Sequence, residues 1–265
     1  MSREHAAIAR RPIPDGLWKR TLVRYPFLQR RDAEDAALLR RLTSLFLDRK
    51  EFSAAGGLRL TDAVVVAIAA QAVLPVLKLG LSRYDGFVGI VVHPDQVVAR
   101  REVADENGVV HEYDEVLAGE AMEGGPVMLS WRDVRAAGRG NSGAYNVVIH
   151  EFAHVLDMAD GAADGTPLLP AGLSVATWRG TLQTEFEQFV LRVETSEQTA
   201  LDSYGAQGME EFFAVASEAF FVTPHAMREE HGPLYAMFVR LYLQDPANEP
   251  IGRQGDRRRQ PVASN

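Results

Sequence analysis

Cysteine is absent from the 265-residue sequence. Disulfide bonds and thiolate chemistry are therefore excluded, and any metal ion must be bound by histidine, aspartate or glutamate. An excess of positive charge is also absent, because 36 acidic residues outnumber 28 basic ones and give a net charge of -8. Neither a nucleic acid nor an anionic membrane is therefore expected as a direct partner.

No apolar run is long enough to cross a membrane, which takes about 20 residues. The best candidate, AVVVAIAAQAVLPVL between Asp62 and Lys78, also contains Gln71 and Pro75. We expect instead a helix that is buried on most sides and capped by Thr61 or Asp62. The N-terminal sequence MSREHAAIARRPIPDG lacks the apolar core of a secretory signal, so a cytoplasmic protein is expected.

Hydrophobic periodicity predicts a single α+β domain over residues 17–245, with a small β-sheet and hairpin region followed by a mainly helical C-terminal half. The pair Asn107-Gly108 is a two-residue hairpin signal between two of the strands. Residues 1–16 are expected to be a flexible N-terminus and residues 246–265 a disordered basic tail. The pattern predicts helices at 32–49, 174–193, 209–222 and 226–243, and strands at 86–92, 96–103, 108–116 and in VMLSW, which ends at Trp131.

The stretch VVIHEFAHVLDMAD contains the pattern H-E-x-x-H at His150, Glu151 and His154. Residues four apart lie on one face of a helix, so the two imidazoles can bind one ion. Glu151 lies about 100° round the helix, where it can flank the metal and accept a proton from a zinc-activated water. Ser142 is a candidate N-cap, and Asp160-Gly161 would close the helix.

A simpler alternative is a helix that exposes two histidines and a glutamate to solvent. Chance produces the pattern in a chain of this composition with odds on the order of one per cent. The residues around it are apolar, which is unusual for a solvated face, and burying unpaired histidines is costly. The sequence therefore favours a zinc site.

A catalytic zinc site needs a third protein ligand, and the residue pattern leaves two candidates. Asp160 occupies the last position of the metzincin pattern, but Asp157 stands where that pattern has glycine. Alternatively, Glu210 or Glu211 of MEEFFAVASEAFF would reach the metal from a later helix, as in gluzincins. Because the two glutamates are adjacent, only one can face the ion, and spacing does not choose between them.

The segments YGAQGMEEFFAVASEAFF and NVVIHEFAHVLDMADGAADGTP resemble the Mlc titration factor A family of bacterial zinc peptidases, which are similar to the anthrax lethal factor catalytic domain. The resemblance continues upstream through EFSAAGGLRLTD, IAAQA, YDGFVGIVVHP and VMLSWRDV, from about Trp18 to the 240s. It implies a gluzincin-like fold in which His150, His154 and Glu211 bind zinc. Where the family usually has Asn-Pro at the start of the ligand helix, this chain has Gly208-Met209, and glycine is the weaker N-cap.

The same resemblance implies roles for further residues and a partner. Glu151 would be the general base, and Tyr204 would donate a hydrogen bond to the oxyanion of the intermediate, although a tyrosine at this position can also simply pack on the core. A peptide substrate, an aminopeptidase activity in preference to an endopeptidase activity, and binding to a transcriptional repressor of the Mlc type are expected. The alternative is a regulator-binding protein that retains zinc without catalysis.

Two further carboxylates are candidates for the surroundings of the metal. Asp157 either accepts a hydrogen bond from a ligating imidazole or lies in water at the end of its helix. Glu218 lies two turns after Glu211 on the same face and is either an outer partner of the site or structural. The remaining histidines are not expected to be ligands: His93, His111, His225 and His231.

Overall fold

Helices make up most of the computed structural model, which describes residues 3–104, 110–137 and 143–249. The helices in this part of the chain are α1 Arg3–Arg10, α2 Asp15–Arg24, α3 Ala33–Arg49, α4 Asp62–Ala72, α5 Trp131–Ala136, α6 Val147–Asp157, α7 Val175–Glu194, α8 Met209–Val222, α9 Pro224–Glu230 and α10 Gly232–Tyr242. The strands are β1 Glu51–Ala54, β2 Gly89–His93, β3 Val97–Ala104, β4 Val110–Leu117, β5 Gly119–Ala121 and β6 Val127–Ser130. The predicted α+β class is confirmed.

The main sheet has the strand order β1-β2-β6-β5. Strands β1, β2 and β6 are parallel, whereas β5 runs antiparallel to β6 and pairs Gly119 with Leu129. Within the described residues β5 is therefore an edge strand, with one side left for another chain segment. Strands β3 and β4 form a separate antiparallel pair, as predicted, and the turn predicted at Asn107-Gly108 lies outside the described residues.

The core lies between the sheet and helices α4, α6 and α8. Residues Val66 to Ala72 of α4 are all buried, as predicted, and the hydroxyl of Thr61 caps the helix by accepting a hydrogen bond from the backbone N–H of Val64. Phe152 of α6 packs within 6 Å of the rings of Phe46, Tyr84 and Phe87. Each such buried aromatic side chain contributes roughly 1.5–3 kcal/mol to folding, so α6 is held firmly in place.

No helix in the described part of the chain is long and apolar enough to span a membrane. The N-terminal residues differ from the expected flexible segment, because residues 3–10 form α1. Ala7 of this helix is buried, and Arg10 forms a hydrogen-bonded ion pair with Asp48 of α3 at 2.7 Å. The predicted tail falls largely outside the described residues, which end at residue 249.

The helix predicted over residues 226–243 is two helices. The helix α9 ends at Glu230 and α10 begins at Gly232, with Pro233 in its first turn. Proline has no N–H and disfavours a helical residue before it, so it fits the start of a new helix and not the middle of a continuous one.

Candidate metal centre

The H-E-x-x-H helix begins at Val147, and its N-cap is Asn146. The side-chain oxygen of Asn146 accepts a hydrogen bond of 3.1 Å from the backbone N–H of Ile149, which satisfies a donor that the first turn leaves free. The predicted cap Ser142 lies outside the described residues. At the other end the helix passes into a short 3₁₀ turn, and Gly161 ends it in the left-handed conformation, with φ of 94°.

Three side chains meet at one point between α6 and α8. The Nε2 atoms of His150 and His154 lie 3.2 Å apart, and Glu211 Oε2 lies 3.1 Å and 3.5 Å from them respectively. Among the described residues they are the only group of three or more histidine or carboxylate side chains close enough to hold a metal. The sequence spacing placed the two histidines on one face, and the packing of α8 against α6 brings the glutamate to them.

Glu218 joins this group from the far side of His150. Its Oε1 lies 2.8 Å from His150 Nδ1, and its Oε2 accepts a hydrogen bond from the backbone N–H of Asn146. The side-chain amide of Asn146 in turn donates to the side-chain oxygen of Gln71 at 3.0 Å. Glu218 therefore fixes both the ring of His150 and the start of α6, as an outer partner of the site.

The electrostatics of the site favour a cation. Burial opposes the charging of His150, yet the nearby carboxylates of Glu211 and Glu218 raise its pKa well above the ordinary value. Burial also opposes ionisation of Glu211, but hydrogen bonds with His150 and His154 lower its pKa to about 2. Glu211 Oε2 is nevertheless buried without a properly directed hydrogen bond. A divalent ion bound to this oxygen and the two imidazole nitrogens would satisfy all three, so the residues fit a zinc ion.

Glu151 is buried beside the three converging side chains, with only 5% of its surface exposed. Burial raises the pKa of its carboxyl to about 6, against the opposing effect of the two histidines. Its carboxyl group packs against the backbone of Gly119 in β5, where an added Cβ would lie 2.5 Å from Glu151 Oε1. A carboxylate with a pKa near neutrality in such a place can exchange a proton with a reacting group.

Tyr204 lines a cavity of about 290 Å³, together with His150 and Glu151. It belongs to a short 3₁₀ segment, Ser203–Gln207, which packs on α8, and its ring centroid is 6.0 Å from that of His150. Tyr204 is 40% exposed, so part of its surface is open to solvent.

The other candidate carboxylates lie elsewhere. Asp160 is exposed, and its Oδ1 accepts a hydrogen bond from the backbone N–H of Ala162. Asp157 is helical and fully buried, and it accepts a hydrogen bond of 2.8 Å from the backbone N–H of Gly165, so it does not lie in water. Burial raises its pKa to about 7. The carboxyl group of Glu210 turns back over Gly208.

Two residues of this site, Gly119 and Asn146, were not among the residues predicted from the sequence. Gly119 is needed for the approach of Glu151, but a single glycine in a strand carries no specific signal. Asn146 precedes an apolar run and is a preferred N-cap type, so the choice of Asn146 over Ser142 was available from the sequence.

Comparison with known proteins places the chain in a family. The family model described as glucose-regulated metallo-peptidase M90 matches residues 1–243. The chain belongs to this family.

Curated relatives agree with that assignment. A protein of Edwardsiella ictaluri named Mlc titration factor A is 38% identical over 71% of this chain and 72% of its own. The protein of the same name from Salmonella arizonae is 33% identical over 88% of this chain and 92% of its own. An uncharacterised protein of Synechocystis sp. is 34% identical over 89% and 86% of the two chains. The predicted resemblance to the Mlc titration factor A family is confirmed, and the chain is a member of a metallopeptidase family.

Proposed function

We propose that this protein is a cytoplasmic zinc peptidase that removes residues from the N-terminus of peptides. The observation that carries the proposal is the convergence of His150, His154 and Glu211 next to the buried carboxyl group of Glu151. Membership of the metallopeptidase family supports it. The preference for an aminopeptidase over an endopeptidase follows only from the resemblance noted above.

In this proposal His150 and His154, through Nε2, and Glu211, through Oε2, would hold the ion. Zinc held there would supply a Lewis acid that polarises a peptide carbonyl and lowers the pKa of a water. Glu218 accepts the Nδ1–H of His150, which fixes the tautomer that leaves Nε2 free to bind. This hydrogen bond supports the proposal of a three-ligand site, because it would hold the ring of His150 in one orientation.

The remaining chemistry belongs to two side chains. Glu151 accepts a proton from the attacking water and delivers it to the nitrogen of the departing amine, a role that its raised pKa of about 6 suits. Tyr204, which lines the same cavity as Glu151, donates its phenolic O–H to the oxyanion that forms on the attacked carbonyl.

The test is hydrolysis of chromogenic aminoacyl substrates and internally quenched peptides by the zinc-loaded protein, beside zinc-loaded Glu151→Gln. Activity in the wild type and its loss in the variant, with equal zinc content, is the expected result. Cleavage of only those quenched peptides whose N-terminus is blocked would identify an endopeptidase and not an aminopeptidase. Absence of activity from a wild type that holds one zinc per chain would overturn the proposal.

We infer a second function from the names of the relatives, which are called Mlc titration factor A. This chain would bind a transcriptional repressor of the Mlc type, with or without catalysis. The measurement is binding of such a repressor to the Glu151→Gln protein. Retained binding would separate the two functions, and its absence from both wild type and variant would refute the second one.

A further inference from the structure

A second cavity, which we call the side cavity, lies against the C-terminal end of α6, the helix that carries His150 and His154. Its volume is about 630 Å³, within the range of small-ligand sites. It lies between the C-terminal half of α6, the turn after β5, and the segment that precedes β2. The side chains that form its walls include Phe87, Met122, Val155, Met158 and Leu168.

The helix α6 connects the side cavity to the metal centre. Val155 of α6 and Met158, the first residue of the 3₁₀ turn that continues it, follow Glu151 by four and seven residues, so all three lie along one side of this helical segment. With a rise of 1.5 Å per residue, Val155 lies about 6 Å and Met158 about 10 Å along the helix axis from Glu151. The side cavity therefore begins about one helical turn from the group that would act as base.

The strand β5 runs beside this stripe. Gly119 at its start touches Glu151, and Met122, directly after its end, lines the side cavity. The other edge of β5 carries no strand in the described part of the chain. A peptide in extended conformation can pair with this edge, as peptides do in β-strand addition. Antiparallel pairing, the more stable kind, sends the N-terminal side of the peptide towards Met122.

The walls of the side cavity determine what it can take. Its side chains are mostly apolar, and two of the exposed large hydrophobic residues of the described chain, Met122 and Leu168, lie here with 42% and 45% of their surface accessible. Arg83 is at the rim, where its guanidinium donates to the backbone oxygen of Leu168 at 2.9 Å. Exposed apolar side chains grouped in a concave surface next to a reactive site favour an apolar ligand group.

We propose that the side cavity is a specificity pocket that binds a large apolar side chain, such as that of leucine, methionine or phenylalanine, on the residue whose carbonyl is attacked. This inference rests on the proposed peptidase function. Since that residue would be the first of the chain in an aminopeptidase substrate, the pocket would select peptides that begin with a large apolar residue.

Gly86 offers a way to fill the side cavity. It lines the cavity, its φ is outside the left-handed region, and an added Cβ would meet no heavy atom within 4 Å. Gly180 in α7 is the matched control, because its Cβ position is equally open and it lies outside the cavity. Gly86→Leu therefore occupies the pocket, whereas Gly180→Leu adds the same side chain elsewhere.

The first experiment measures kcat/KM of the zinc-loaded protein for leucyl and alanyl p-nitroanilides. We expect the wild type to favour the leucyl substrate by at least about ten-fold, Gly86→Leu to lose that preference, and Gly180→Leu to keep it. If Gly86→Leu does not fold, Leu168→Glu serves instead, because that exposed position tolerates charge and lies in the pocket wall. A wild type that prefers alanine, or filled variants that keep the leucyl preference, would overturn the proposal.

The second experiment separates the pocket from catalysis. Binding of a fluorescent peptide that begins with leucine, and of its alanine counterpart, is measured with zinc-loaded Glu151→Gln by anisotropy. Tighter binding of the leucine peptide, erased by adding Gly86→Leu and retained with Gly180→Leu, supports the pocket even if the wild type hydrolyses nothing. Equal binding of both peptides to the Glu151→Gln protein contradicts it, whatever the wild-type activity.

Discussion

Two buried histidines of this molecule have nearly the same immediate partner. His150 Nδ1 lies 2.8 Å from Glu218 Oε1, and His231 Nδ1 lies 2.8 Å from Glu185 Oε2. All the side chains of both pairs are largely buried. A histidine paired with a buried glutamate therefore does not by itself mark a functional site in this fold.

The difference lies at the other ring nitrogen. His150 Nε2 faces a second imidazole nitrogen and the carboxylate of Glu211. Among the described residues the charged group at His231 Nε2 is Glu230, 3.2 Å away, and that carboxylate is already paired with Arg192 at 2.7 Å. The pair of His150 and Glu218 thus orients His150 Nε2 towards His154 and Glu211. The pair of His231 and Glu185 instead joins α7 to the junction of α9 and α10.

Removing Glu211 should have the largest effect, because this carboxylate distinguishes the surroundings of His150 from those of His231. We expect Glu211→Ala to lose bound zinc and all hydrolysis. Asp160→Ala, the control for the alternative third ligand, should keep one zinc per chain. Metal content after dialysis, measured by inductively coupled plasma mass spectrometry, checks both; zinc retained by the first variant and lost by the second would reverse the ligand assignment.

Gly119→Ala should have the second-largest effect. It displaces the carboxyl group of Glu151, which a peptidase needs as a base and a simple metal-binding site does not. An added Cβ would lie 2.5 Å from Glu151 Oε1, so the carboxyl group must move. We expect kcat to fall by about 10²–10⁴-fold with zinc content unchanged. Gly89→Ala is the control, because its Cβ would make only an ordinary contact of 3.4 Å with Pro126. Wild-type kcat in Gly119→Ala would show that Glu151 does not need this packing.

Glu218→Ala tests the pair at the metal centre. Loss of the carboxylate frees the ring of His150, and we expect zinc affinity to fall by about 10–100-fold without being abolished. Competition with a chromogenic chelator measures the affinity. Unchanged zinc affinity would mean that Glu218 acts only on the start of α6, through its bond to Asn146.

Glu185→Ala makes the same change at the other pair and should have the smallest effect on the site. It leaves His231 Nδ1 buried without its partner, so we expect the free energy of unfolding to fall by about 1–3 kcal/mol. Zinc affinity and kcat should match the wild type. Urea unfolding gives the stability, and a drop in zinc affinity as large as that of Glu218→Ala would erase the distinction between the two pairs.

Much of the fold could be predicted from periodicity alone. Helices α3, α7 and α8 were predicted to within about one residue, because their apolar positions recur at helical spacing. The two exceptions have different causes, one local and one long-range. The run at 226–243 keeps its helical pattern across Pro233, where the backbone cannot continue. Residues 3–10 form a helix that depends on contacts with the distant α3, which no short window of sequence shows.

The site was predictable to a similar extent. The lack of cysteine limited its ligands to nitrogen and oxygen, and the spacing of His150 and His154 placed two of them on one helix face. Both results follow from composition and from helix geometry, which are local properties and do not depend on the rest of the fold. Spacing did not choose among Asp160, Glu210 and Glu211, and that choice was made only through resemblance to a family.

The tertiary structure decided the rest. It turned Glu211 towards the histidines and Glu210 away from them, and it placed Glu218 behind His150 and Gly119 against Glu151. It also formed the side cavity from segments far apart in the chain. These arrangements depend on how α8 and β5 pack against α6, and such long-range packing is fixed by the whole core and not by the local order of residues.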